Sequence, residues 1–170
     1  MIRPDTSLWA FSVSFYQHPK VEPLCLRLQD QFGVNVNGLL WALWLDLIYP
    51  QSDMSVWQCG ISKAALWHGY VVVPLRYLRR RIPKTVGWSR IRGCFLRVEL
   101  RAEKRELRIL ERVAVTKSTA QGQLTVDTPR RFLPRALEGL PDEQAQVAEL
   151  FEQWFRENTA EFSADEKKPL

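Results

Sequence analysis

The sequence predicts an all-α protein: a single-domain bundle of five or six helices around a central apolar helix at residues 36–49. Two observations lead to this prediction. Apolar residues recur at intervals of three and four along most of the chain, as they do on one face of a helix. Residues 36–49 are apolar on nearly every side, and a helix of that kind must be buried on every side by its neighbours. A chain of 170 residues is long enough to bury such a core.

The first three helices have clear start and stop signals. Ser7 can cap the first helix, which ends before Pro19 because the residue before a proline is pushed out of the α region. The second helix covers residues 21–32, and Gly33 follows it as a C-terminal cap. Asn35 is a good N-cap for the central helix.

Two further helices are predicted in the middle of the chain. Residues 51–60 are polar and small, which favours a connection, and a fourth helix follows over residues 62–82. Pro74 lies inside that helix and should either kink it or divide it into two helices. The fifth helix, residues 89–113, is the longest and has one apolar stripe between charged faces.

The composition changes after the fifth helix. We expect a helical core at residues 1–115, a polar linker or loop at 116–135, an amphipathic C-terminal helix at 136–160 and a disordered tail at 161–170. The C-terminal helix could fold back on the bundle or mediate self-association through residues 142–158, and the sequence leaves both alternatives open.

The composition and the motifs argue against several classes of protein. No signal-peptide pattern is visible, and the longest apolar run is far shorter than the ~20 residues that cross a bilayer, so we expect a cytoplasmic protein without membrane insertion. The three cysteines have neither disulfide-framework nor metal-knuckle spacing. No nucleophile elbow, P-loop or dinucleotide fingerprint is present. We therefore expect no metal and no cofactor, and the sequence favours a protein that is not an enzyme without deciding the question.

Several short runs in the first two thirds of the chain resemble a known family. They are Phe15-Tyr16, Val21-Glu22, Cys25-Leu26, Leu28-Gln29-Asp30, Gly33, Val36-Asn37, Leu39-Leu40, Leu43-Trp44-Leu45, Val72-Val73-Pro74-Leu75-Arg76, Arg79-Arg80, Glu99-Leu100 and Ala102-Glu103. As a set, over about residues 8–113, they are similar to a proteobacterial family of short helical proteins that is catalogued only as a domain of unknown function. Asn35 departs from the acidic cap expected of that family, and the region after Thr116 matches nothing in it. The resemblance implies a helical fold and a bacterial cytoplasmic setting, and it implies no activity.

The strongest functional signal is a concentration of basic residues. Residues 71–113 hold thirteen Lys and Arg against four Glu, a net charge of +9, whereas the whole chain has a net charge of +5. If the fourth and fifth helices are antiparallel, their exposed faces join in one positive surface, and arginine favours bidentate contact with phosphates or carboxylates. The residues expected on it are Arg76, Arg79, Arg80, Arg81, Lys84, Arg97, Arg101, Arg105 and Arg108. This pattern predicts a non-enzymatic interaction module that binds RNA, the ribosome or an acidic protein. A merely solubilising surface remains the alternative.

Two polar interruptions of the central helix suggest a second hypothesis. Burying Asp46 without a partner would be costly, so it should reach the end of the bundle or pair with Arg76 or Arg79. Asn37 should either complete a structural hydrogen bond or line a pocket. A pocket for a small-molecule or lipid-like ligand, conceivably that of an enzyme, would be lined by Asn37, Trp41, Trp44, Asp46, Trp67 and Tyr70.

Three carboxylates share one face of the fifth helix. Glu99, Glu103 and Glu106 follow one another at intervals of four and three residues. A di-metal site would also need Glu-x-x-His pairs on other helices, and the two histidines do not have that spacing. We therefore expect these carboxylates on a solvated face among neighbouring arginines.

Overall fold

The structure, a computed structural model, describes residues 6–118 and 130–159. Within these residues every regular element is a helix, which confirms the predicted all-α fold. Most of the predicted linker and the predicted tail at 161–170 lie outside the described residues. The α-helices are α1 (Leu8–Tyr16), α2 (Val21–Phe32), α3 (Val36–Ile48), α4 (Met54–Trp67), α5 (Val73–Arg81), α6 (Ser89–Lys117), α7 (Leu133–Ala136) and α8 (Pro141–Thr159). None of these described helices is both long enough and apolar enough to cross a membrane.

Helix α3 is the centre of the bundle. All thirteen of its residues are buried, and α1, α2, α6 and α7 pack around it. Its start follows the prediction, because Oδ1 of Asn35 accepts from the backbone N–H groups of Asn37 and Gly38, at 3.0 and 3.2 Å. Gly33 adopts the left-handed conformation, with φ of 68°, that the end of α2 requires.

The predicted connection over residues 51–60 is wrong, because α4 begins at Met54. Its small residues Gly60 and Ala64 are buried and share a face. At Gly60 the Trp41 ring of α3 lies directly on the α4 backbone, since an added Cβ would lie only 1.9 Å from its Cη2 atom. The small residues that suggested a loop are the close-packing surface of a helix.

Helices α4 and α5 follow one another through a five-residue π-helical turn, His68–Val72. The backbone N–H of Val73 donates to the carbonyl of His68, five residues earlier, and Pro74 follows within the first turn of α5. The prediction placed a kink or a break at Pro74, whereas the structure changes helical register just before it. Turns of this type occur frequently at functional sites. The chain then reverses through residues 82–88, and α6 packs along both α4 and α5.

Helix α8 packs back onto α1. The Trp154 ring centroid lies 5.3 Å from those of both Phe11 and Phe15, and Phe151 lies between the same helices. The apolar face that suggested self-association through residues 142–158 is therefore covered within the chain.

Asp46 attaches this C-terminal part to the core. Its Oδ1 accepts from the backbone N–H groups of Arg131 and Phe132, at 2.7 and 3.0 Å, and its Oδ2 accepts from that of Leu133 at 3.0 Å. Burial raises the pKa of Asp46, and the three N–H donors oppose that rise. The carboxylate therefore works as a buried cap for the chain that enters α7.

Candidate functional site

The structure divides the basic residues of α5 and α6 into two groups, of which the first is neutralised within the fold. Arg79 pairs with both carboxylate oxygens of Glu99. Arg76 donates from Nε to Glu99 at 3.2 Å and from Nη2 to Glu103 at 2.5 Å. Neither arginine pairs with Asp46, the partner suggested by the sequence, because that carboxylate is satisfied by backbone donors.

Two more arginines of the hairpin that α5 and α6 form are also bound within the chain. Arg80 pairs with Asp30 of α2. Arg92 donates from Nη1 to the carbonyls of Arg79 and Ile82, at 3.0 and 3.2 Å, and so fixes the end of α5. The predicted positive surface is therefore interrupted, since its first three arginines face carboxylates of the chain itself.

The second group lines a groove of about 600 Å³ between α6 and the end of α4, the π turn and α5. Its arginines lie on one stripe of α6 at intervals of four, three and four residues: Arg101, Arg105, Arg108 and Arg112. All four are exposed, and within the part of the chain that the structure describes none forms an ion pair. We call this the arginine groove. Arg112, which the predicted set did not include, completes it.

Aliphatic side chains and one tryptophan make the floor of the arginine groove. The aliphatic residues are Val71, Leu75, Val98, Ala102 and Ile109. The Trp67 ring is fixed on α6, because its Nε1 donates to the carbonyl of Ala102 at 2.9 Å. The guanidinium of Arg105 lies over this ring, 4.7 Å from its centroid. The other predicted basic residues, Arg81, Lys84 and Arg97, are exposed and do not line the groove.

The glutamates of α6 are at the centre of a buried polar network, and the prediction of a solvated face is wrong. Glu106 is fully buried; it accepts from Nδ2 of Asn35 at 2.8 Å and from Nδ2 of Asn37 at 2.9 Å, and lies 3.1 Å from Nδ1 of His68. Glu99 is only 3% exposed. The sequence could not show this burial, because the donors come from three other segments of the chain. Among the described residues, no three His, Cys, Asp or Glu side chains are grouped so as to hold a metal ion.

A cavity of about 330 Å³ lies beside this network, bordered by α1, α2, α3, α5 and α6. Its apolar lining consists of Trp9, Val13, Val36, Leu40, Leu100 and Leu107. Its polar lining consists of Ser12, Tyr16, Gln17, Gln29, Asn37, Arg76 and Glu103. A partly buried ion pair, Arg76 with Glu103, is therefore part of the wall of this cavity.

Burial controls the ionisation of the groups at this cavity. Desolvation raises the pKa of Glu103, Arg76 lowers it, and the nearby Glu99 and Glu106 raise it further. Desolvation and the adjacent Cys25 raise the pKa of Tyr16, so its phenol stays neutral at physiological pH. Burial also raises the pKa of the Cys25 thiol to about 11, which makes this cysteine a poor nucleophile.

The six residues of the predicted aromatic pocket do not surround one cavity. Asn37 lines the cavity, Trp67 lines the arginine groove, and Tyr70 is 79% exposed. The remaining three are packed inside the core: Trp41, Trp44 and Asp46. Aromatic residues mark a buried region in the sequence, but they do not show where the packing leaves space.

A comparison with known families matches residues 7–110 to a family described as proteins of unknown function, DUF2390. The chain belongs to the DUF2390 family. The match spans α1 to most of α6, includes every residue of the cavity lining, and ends before α7 and α8. No curated protein and no solved structure matches the chain.

Several residues that carry the family resemblance meet at the cavity. Tyr16, Asn37, Arg76 and Glu103 line it, and Glu99 holds Arg76 in place. The sequence presents these residues as separate short runs, and only the packing of the DUF2390 helices shows that they belong to one region.

Proposed function

We propose that this DUF2390 protein is a protein-interaction module that binds an acidic amphipathic helix in the arginine groove. One observation carries the proposal: the four arginines of the groove have no acidic partner among the described residues and stand beside an aliphatic floor. The cytoplasmic and bacterial setting predicted from the sequence is part of the proposal.

Charge and spacing define the partner. A helix rises ~1.5 Å per residue, so the arginine stripe from Arg101 to Arg112 is ~16 Å long. Carboxylates at the same intervals on a partner helix would lie at matching distances when the two helices are aligned. Arginine is also the cation that pairs best with carboxylates, because its planar fork makes two parallel hydrogen bonds.

The floor of the groove favours a protein helix over RNA. Aliphatic side chains accept leucine-like anchors of an amphipathic helix, whereas sequence-tolerant RNA binding relies on aromatic faces for base stacking. Trp67 is the aromatic ring in the groove lining, and Arg105 already covers one of its faces. Binding of RNA or the ribosome is the competing outcome of the experiment.

The test compares two triple charge reversals. The groove variant is R101E/R105E/R108E, and the control is R81E/K84E/R90E, which lies at the exposed end of the hairpin. Both replace three cations by three anions, so they alter the net charge equally. The probes are a labelled helical peptide with glutamates at the four matching positions and leucines beside them, the same peptide with glutamines, and an RNA oligonucleotide, each titrated by fluorescence anisotropy.

We expect the acidic peptide to bind the wild type and the control at least ~10-fold more tightly than the groove variant, a difference of ~1.4 kcal/mol. Its affinity should fall with added salt and the glutamine peptide should bind weakly. The proposal would be overturned if both variants lost the same affinity for the acidic peptide. It would also be overturned if RNA bound the groove more tightly than the peptide does. Affinity purification from the native cell should then recover a protein that survives nuclease treatment and is lost only with the groove variant.

A further inference from the structure

The cavity is separate from the arginine groove, because the two share no lining residue. Its volume of about 330 Å³ falls within the range of about 300–1,000 Å³ that small-molecule sites occupy. Such sites combine mostly apolar walls with a few polar groups that fix the orientation of the ligand. Most of the surface that lines the cavity is apolar, and its seven polar side chains include the ion pair of Arg76 and Glu103.

Two polar side chains of the wall are held in fixed positions by the α6 carboxylates, of which Glu103 itself lines the cavity. Arg76 is held by Glu99 and Glu103, and Asn37 donates to Glu106. These three carboxylates are successive members of one helix face, so the groups they hold lie close together. A binding site gains affinity when its polar groups are positioned before the ligand arrives.

Each of these side chains keeps an atom for a ligand. Among the described residues, no hydrogen bond engages Nη1 of Arg76, Oε2 of Glu103 or Oδ1 of Asn37. At this part of the wall the cavity therefore offers one donor, the guanidinium N–H of Arg76, beside two acceptors, a carboxylate and an amide oxygen. The other polar side chains of the lining are Ser12, Tyr16, Gln17 and Gln29.

The charged side chains around this wall balance one another. They are three carboxylates and three cations: Glu99, Glu103 and Glu106 against Arg76, Arg79 and Lys104. Lys104 belongs to this set because its Nζ lies 4.2 Å from the ring centroid of Trp9, a lining residue. A balanced wall favours a ligand without net charge, because an isolated charge buried here would lack a partner.

From these observations we infer that the cavity binds a small molecule with an apolar body and a head that carries an amino or amide N–H beside a carbonyl or carboxylate oxygen. An apolar amino acid has this chemistry as its zwitterion, and its amide has it once the amino group is neutral, above about pH 8. The oxygen of the head accepts from Arg76, its N–H groups donate to Glu103 and Asn37, and the apolar body contacts Leu40 and Leu107.

The experiment uses four ligands that share one apolar body: phenylalanine, phenylalaninamide, 3-phenylpropionate and 2-phenylethylamine. Each is titrated into the full chain, and binding is followed by NMR chemical shifts of backbone and side-chain amides, including the Asn37 amide and the Trp9 indole. Phenylalanine or its amide should bind at least ~10-fold more tightly than the two ligands that lack half of the head. The two leading ligands also separate a zwitterionic head from an amide head.

Two matched variants locate the site. Leu100 lines the cavity and is 48% exposed, so Leu100→Trp should block the cavity without disturbing the core. Leu96 lies one turn earlier on α6, is 44% exposed and does not line the cavity, so Leu96→Trp is the control. Glu103→Gln keeps the shape of the wall and should weaken the ligands that carry an amino group.

We expect L100W to weaken binding at least ~10-fold, while L96W stays within a factor of ~2 of the wild type. Equal affinity for all four ligands, no binding of any of them at millimolar concentration, or unchanged binding by L100W would each overturn the inference. The site is independent of the proposed groove, so R101E/R105E/R108E should bind the preferred ligand as the wild type does.

Discussion

Replacing Gly60 by alanine should destabilise the protein, although alanine is the better helix former. The new Cβ would lie 1.9 Å from Cη2 and 2.5 Å from Cζ3 of Trp41, far inside the ~3.5 Å at which carbon atoms attract each other. The Trp41 ring is fully buried and stacks on Trp57 with a centroid distance of 5.3 Å, so it cannot move aside freely. Overpacking a core costs ~1–3 kcal/mol, and an overlap this large belongs at the upper end.

The gain in helix propensity offsets only part of that cost. Exchanging glycine for alanine inside a helix contributes ~1 kcal/mol, which leaves an expected net loss of ~2 kcal/mol in the free energy of unfolding. Gly93→Ala is the matched control, since at Gly93 an added Cβ meets only Nη1 of Arg97, at 3.8 Å. That variant should gain ~0.5–1 kcal/mol.

Urea unfolding, followed by circular dichroism, measures both variants. Thermal unfolding gives a second measure, because in a protein of this size ~1 kcal/mol corresponds to ~2–4 °C in Tm. G60A should therefore melt ~4–8 °C below the wild type, whereas G93A should melt slightly above it. If G60A proves as stable as G93A, Trp41 does not pack on the backbone of α4, and the described approach of α3 and α4 is incorrect.

Two further predictions concern the ion pairs of α5 and the carboxyl group of Glu103. Double-mutant cycles to alanine should give a coupling energy of ~1–3 kcal/mol for Arg79 with Glu99, whose side chains are 20% and 4% exposed. The coupling energy of Arg80 with Asp30, whose side chains are 45% and 47% exposed, should be less than ~1 kcal/mol. Equal coupling energies would contradict the burial of the first pair. The pKa of Glu103 is raised by burial, so the folded state binds its proton more tightly, and the stability that this carboxyl contributes is lost as pH rises from its ordinary range through its folded-state pKa. Urea unfolding at acidic and neutral pH should therefore show wild type losing stability relative to E103Q as pH rises, and the opposite slope would refute the assignment.

The fold was predictable because its main determinants are local. Asn35 and Gly33 carry their helix-end signals in their own chemistry, and the all-round apolar character of α3 requires burial whatever packs against it. The start of α4 was missed because a small residue such as Gly60 has the same identity in a loop and at a close helix contact. The difference depends on Trp41, which lies on another helix.

The candidate sites were predictable only in part, because they depend on pairing between distant segments. The arginine stripe is visible in the sequence as charge. The sequence does not show that Arg76 and Arg79 are neutralised, whereas Arg101 has no acidic partner among the described residues. For the same reason Glu106 could be placed on a face of α6 but not in the core, where amides from the start of α3 reach it.

Asp46 links the part of the chain that matches the family to the part that does not. Asp46 lies inside the DUF2390 match at residues 7–110, whereas its three N–H donors, at residues 131–133, lie beyond it. A relative that lacked the C-terminal helices would leave this carboxylate in an apolar core without donors, which is strongly unfavourable. An acidic residue at this position and the segment that covers it should therefore be gained and lost together. The identity of this one core residue would then predict which relatives carry the C-terminal helices.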